Sequence, residues 1–89
     1  MKPIIITTEH RGVFFGYVED DTNLKEKTQS LKDARMAIRW RTTKGIAELA
    51  ETGPNDESII GSKADVPVIH NVTAVFFVSK EAEEKWIKA

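Results

Sequence analysis

The chain has no cysteine. That single absence removes disulfide scaffolds, Cys-type zinc sites, iron–sulfur clusters and cysteine nucleophiles. Histidine is scarce: His10 and His70 are the two, without an HxxxH spacing. A zinc site or a Ser–His relay therefore has little to build on, and no metal ligands are assigned. There is no GxSxG elbow, no GxGxxG turn and no GxxxxGK[ST] loop. Hydrolase, dinucleotide and Walker chemistries thus lack their usual backbone devices, and no cofactor and no catalytic residue are expected. The apolar runs are far shorter than the ~20 residues a membrane helix needs. The opening stretch Met1-Lys2-Pro3-Ile4-Ile5-Ile6-Thr7 is too short in apolar residues for a signal peptide. No membrane contact is expected, and the expected compartment is the cytoplasm.

What is present is an ordinary globular composition, 40% hydrophobic and 30% charged, over 89 residues. That length allows one domain, residues 1–89. A domain so small hides only about 60–65% of its unfolded surface, and self-association is a common remedy. A homo-oligomer is the expectation.

Periodicity predicts the elements. Ile4–Thr8 is a β-branched run and reads as a strand. Val13–Val18 is a second, apolar on both faces, with Gly16 marking a bulge or a close backbone approach. The two suggest a hairpin. Glu19–Ser30 is polar and reads as a mobile loop. Leu31–Arg41 is ambiguous: its residue types favour helix, whereas its alternation favours a strand from about Ala34 to Arg41. Thr43–Glu51 reads as a short helix ended by Gly53 and Pro54. Ile59-Ile60 suggests a short strand. Val66–Val78 is the strongest β signal, interrupted at His70-Asn71 by a bulge or a tight hairpin tip. Ser79 is placed to cap a last helix whose anchor is Trp86. The predicted fold is α+β: a small bent antiparallel sheet or open β-barrel of about five strands, one short helix and a C-terminal helix.

The net charge of −1 conceals an asymmetry: residues 1–45 carry +3 and residues 46–89 carry −4. The positive charge is densest from Lys32 to Lys44. On a regular strand Arg35, Arg39 and Arg41 would line one face, with only Ala37 among them. Such a row is costly unless it meets water or anions. The functional reading is a site for phosphates; the plainer one is a solvated face paired with acids such as the Glu81–Glu84 cluster. The stretch from Gly53 to Lys63, with two glycines, two serines and a lysine, could add a backbone nest for a phosphate, or could be an ordinary surface connection. The candidate ligand-binding set is Arg39, Arg41, Arg35, Lys44, Asn55, Ser58 and Lys63. Trp40 or Tyr17 could stack a base beside the arginines; core packing is their plainer role.

Six segments together resemble a family of short phage and prophage proteins known chiefly as a domain of unknown function. They are His10–Tyr17, Leu31–Trp40, Leu49–Pro54, Ser58–Gly61, Val72–Val75 and Glu83–Trp86. The resemblance spans roughly residues 7 to 87. It carries no catalytic residues, and it implies a phage origin and action in the bacterial cytoplasm. A nucleic-acid mimic should be strongly acidic and a general DNA binder basic, with a pI above about 9; here the pI is 6.1. The expected function is non-catalytic binding of a small anionic, nucleotide-derived signal of host immunity. The alternatives are a protein-binding inhibitor of a host defence factor and, after it, a nucleic-acid-binding module.

Overall fold

The computed structural model describes residues 1–9, 12–39, 47–54 and 58–89, with the side chain of Arg39 set aside. Among these residues six strands and two helices follow in the order β1 (Lys2–Thr8), β2 (Val13–Val18), β3 (Gln29–Arg39), α1 (Ala47–Glu51), β4 (Ile59–Ile60), β5 (Ala64–Ile69), β6 (Val72–Phe77) and α2 (Lys80–Lys88). All pairings are antiparallel. The sheet order is β4-β3-β2-β1-β6, and β5 joins β3 alongside β4. The α+β class with a small open antiparallel sheet and a C-terminal helix is what the sequence predicts.

Several boundaries differ from the prediction. Strand β3 begins at Gln29, so the last two residues of the expected loop are extended. Gln29 is 4% exposed, and its amide donates to the carbonyls of Asn23 and Glu26. Those two bonds fold the loop back on itself. At the other end, His70-Asn71 is neither a bulge nor a hairpin tip. The strands it joins pair with different partners, β5 with β3 and β6 with β1. In a flat sheet these positions would be four strand spacings apart, about 19 Å. A two-residue connection spans at most about 11 Å. The sheet must curl, and Asn71 makes the corner with φ 59. The loop closes the corner: Val72 N–H donates to the Lys27 carbonyl at 2.9 Å.

Curling gives the sheet two buried faces. Ile4, Ile6, Val18, Leu31, Ala34 and Ile69 pack inside the bend. Ile5, Val13, Phe15 and Ala37 pack on the other face under Leu49 and Ala50 of α1 and Ala82 and Trp86 of α2. This is why three consecutive isoleucines of β1 are all fully buried. Gly16 is required by close packing of β2 on β3, since a Cβ there would lie 2.8 Å from Leu31 Cβ.

The helices are locked to one another through backbone groups that a helix end leaves open. Trp86 Nε1–H donates to the Leu49 carbonyl, Ser79 N–H to that of Ala50 and Ser79 Oγ to that of Glu51, while Thr52 and Gly53 N–H close the end of α1 itself on the Glu48 carbonyl. Ser79 Oγ also accepts from Ala82 N–H, capping α2. Gly53, at φ 87, turns the chain out of α1 while lying against α2. The expected start of this helix, from Thr43, lies outside the described residues. Glu81–Lys85 and Glu84–Lys88 do not close into ion pairs; the one ion pair among the described residues joins the Met1 amino group to Asp20.

Trp86 is fully buried and stacks on Phe15 at 5.1 Å between ring centroids, 5° from parallel. Trp86→Ala should cost about 3–5 kcal/mol, and Trp86→Phe about 1–2 kcal/mol through loss of the indole hydrogen bond and some packing. Urea unfolding midpoints in the order wild type, Trp86→Phe, Trp86→Ala, from high to low, are the expected result; an unchanged midpoint for Trp86→Ala would refute this anchoring.

Candidate functional site

The site begins with an irregularity in β3. Opposite Phe15 and Tyr17, two residues apart on β2, stand Arg35 and Lys32, three apart on β3. The extra residue is accommodated at Asp33, which has φ 50. Its backbone N–H donates to Asp65 Oδ1 at 2.9 Å. The bulge reverses the strand's parity. Leu31 and Ala34, three apart, both reach the inner face, while Arg35 and Ala37 fall on the helix-covered face.

The predicted row of exposed arginines is therefore corrected for Arg35. Its neighbour on that face, Ala37, is 5% exposed, and Arg35 itself is half-buried. Arg35 Nε donates to the Gly61 carbonyl at 2.9 Å, and Nη1 to the Trp86 carbonyl at 2.8 Å and the Ile87 carbonyl at 3.3 Å. A cation at the C-terminal end of α2 meets carbonyls that have no intrahelical partner and the negative end of the helix dipole. No carboxylate of the described residues lies within ion-pair distance of it. Carbonyls orient the guanidinium without neutralising its charge.

Beside it opens a cleft of about 660 Å³, lined by Met1, Phe15, Tyr17, Asp33, Arg35, Lys63 and Ile87. Lys63 arrives on the connection between β4 and β5; the pairing of Ala34 with Ala64 carries it to this end of β3. It is exposed, with no hydrogen-bond or ion-pair partner among the described residues. Two candidate residues from separate parts of the chain, Arg35 and Lys63, thus face one cavity. Ser58 is half-buried just before β4 and does not line it. Arg41, Lys44 and Asn55 lie outside the described residues, as does Trp40. Arg39 contributes backbone to β3 opposite Ile59.

Sequence reasoning missed Asp33 as a lining residue, together with Met1 and Ile87. Tyr17 was weighed as a base-stacking ring; the structure puts it in the cleft wall, edge-on to Phe15 at 5.5 Å. Its hydroxyl donates to Glu83 Oε2 at 2.7 Å. Burial, then the hydrogen bond to Glu83 and the charges of Glu83 and Asp33, push its pKa well above the ordinary phenol value. A second groove, about 470 Å³, runs between residues 24–27 of the loop and β6. Among the described residues no three His, Asp or Glu side chains stand close enough to hold a metal ion, and no helix is long and apolar enough to cross a membrane.

Comparison with known proteins gives one result. The model of a family described as a domain of unknown function (DUF6948) matches residues 1–86. No curated protein and no solved structure matches the chain.

Tyr17 is the single tyrosine, so its titration can be read directly from tyrosinate absorbance. The folded state holds its proton more tightly than the unfolded state. The associated stability is complete below pH about 10 and is lost as pH rises beyond it. We expect no tyrosinate signal until the protein unfolds, and a melting temperature that falls above pH about 10 less steeply in Tyr17→Phe. Normal tyrosine titration in the folded protein would contradict the buried hydrogen bond.

Proposed function

We propose that this chain, which belongs to that family of unknown function, is a non-catalytic binding protein whose cleft beside β3 and α2 takes a small anionic, nucleotide-derived ligand. One observation carries the reading: Arg35 and Lys63, both without an acidic partner among the described residues, converge on a single cavity walled by Phe15, Tyr17 and Ile87. Cations that are not neutralised internally attract anions, and an apolar wall suits a flat ring. The cavity is in the range that small-molecule sites occupy, about 300–1,000 Å³.

The lining supports reading the cleft as a binding site. Among the described lining residues the hydroxyl is that of Tyr17, whose proton is held by burial and Glu83, which makes it a poor nucleophile. The resemblance to short phage proteins supplies the setting. In a bacterial cytoplasm, a phage gains from sequestering a nucleotide signal of host defence, with Arg39, Arg41, Lys44 and Asn55 as further donors to the phosphates. Self-association is part of the proposal. Phe77, Ile38 and Ile87 are 71%, 63% and 59% exposed, a cost that burial between copies would remove.

The test is a panel of linear and cyclic nucleotides, DNA and RNA, read by calorimetry and native mass at low salt. A nucleotide should bind and be recovered unchanged. Lys63→Ala should weaken it roughly tenfold while shifting stability by no more than about 0.5 kcal/mol, because Lys63 is exposed. Arg35→Ala should also destabilise the fold by about 1–3 kcal/mol, since it leaves the α2 carbonyls unpaired. A ligand recovered with altered mass would make the protein an enzyme. No binding by any nucleotide would leave inhibition of a host protein as the function, and preference for DNA or RNA would make it a nucleic-acid module.

A further inference from the structure

We infer that the ligand of this cleft is a guanine nucleotide, its base read by the Asp33 carboxylate and its phosphate held by Arg35 and Lys63. The inference rests on the anion-binding reading above and adds the identity of the base. Its starting point is a charge that the anion reading leaves unused: a carboxylate in the same wall as the two cations.

Asp33 is displayed by the bulge. Its φ of 50 and the bond from its N–H to Asp65 fix the backbone, so the direction in which Cβ leaves the strand is set, and the carboxylate lines the cavity. Among the described residues the carboxylate has no hydrogen-bond or ion-pair partner, although Arg35 and Lys63 line the same cavity. A simple anion site would gain nothing from it, because it repels phosphate. A ligand that is anionic at one end and rich in N–H donors at the other satisfies both.

The choice among bases follows from hydrogen-bond inventory. An ionised carboxylate only accepts, through two oxygens. Guanine presents two adjacent donors, the ring N1–H and the exocyclic amino group, and pairs with both oxygens. Adenine offers one donor beside a ring-nitrogen lone pair, cytosine the same, and uracil one donor between two acceptors. Each of these leaves a carboxylate oxygen against a lone pair or without a partner, a loss that a polar site converts into selectivity. The half-buried Tyr17 ring and the exposed Ile87 side chain offer apolar surface for the base plane.

Calorimetry with GMP, IMP, AMP and inorganic phosphate tests this on the intact chain. IMP keeps the ring N1–H and lacks the amino group. GMP should bind about ten- to a hundredfold more tightly than AMP, with IMP between them. Asp33→Asn should bring GMP and AMP to within a few-fold of each other while phosphate affinity holds or rises. Asparagine also adopts positive φ, so this variant should melt with the wild type; Asp33→Gly, which keeps the backbone and removes the side chain, is the second reading of the same loss. Equal binding of GMP and AMP that depends on Lys63 would overturn the guanine inference and leave the anion cleft standing. A guanine preference that survives in both Asp33 variants would overturn it too. Failure of all four probes to bind would overturn both.

Discussion

The arrangement of the cleft depends on one extra residue in β3. Without the bulge at Asp33, side chains two, four and six positions beyond Leu31 would share its face. Leu31 lies inside the bend, so Arg35 would be driven into the apolar interior with Ile4 and Ile6. Placing one residue at φ 50 is mildly unfavourable for any side chain, least so for Asp or Asn. That small cost moves a guanidinium from a face where it has no polar partner to one where three carbonyls await it. The same residue places a carboxylate at the mouth of the cavity. Register, charge placement and cavity chemistry are one event in the backbone.

The second consequence is that α2 is held at both ends by different means. At its start Ser79 caps the first turn and at the same time ties off α1. In its last turn Trp86 inserts against Phe15. At its end Arg35 takes the last carbonyls. A nine-residue helix is marginal in isolation, and its exposed charge pairs are not closed among the described residues. Its order therefore comes from the sheet beneath it. Because Arg35 and Ile87 belong both to this attachment and to the cleft, the cavity wall is as rigid as the docking of the helix.

Much of this was legible in the sequence, and what was not has definite physical causes. The run Ile4-Ile5-Ile6 announces a strand, Val13–Val18 a strand covered on both faces, and Ser79, Gly53 and Pro54 announce helix ends, because each signal is local. The segment 31–41 reads ambiguously for a reason: among its described residues, the bulge leaves Leu31, Ala34 and Ala37 buried. That spacing of three imitates a helix although the backbone is extended. The corner at His70-Asn71 is likewise invisible to periodicity, since an asparagine at positive φ serves a hairpin and a sheet corner alike. For the site, unpaired cations could be found by counting charges, and Arg35 and Lys63 were. Asp33 could not, because a lone acid within a basic run looks like a neutralising partner. Only its backbone conformation and its missing partner among the described residues distinguish it.

Near-neutral net charge acquires a specific meaning from this geometry. Proteins that bind nucleic-acid strands neutralise many phosphates at once, and six to ten contacts are typical of a strongly salt-dependent complex. The cleft offers two cations and sets a carboxylate in the same wall. A polyanion lying along it would meet that carboxylate as well as the two cations, and its phosphates would be repelled there. The proposed nucleotide would meet it once, with the end of the molecule that carries donors instead of charge. Under the proposed function, the mixed sign of the cavity would favour a short anion over a long one. The net charge nearly cancels while Arg35, Lys63 and Asp33 line one cleft without pairing among the described residues, so the proposed ligand is one that complements both signs.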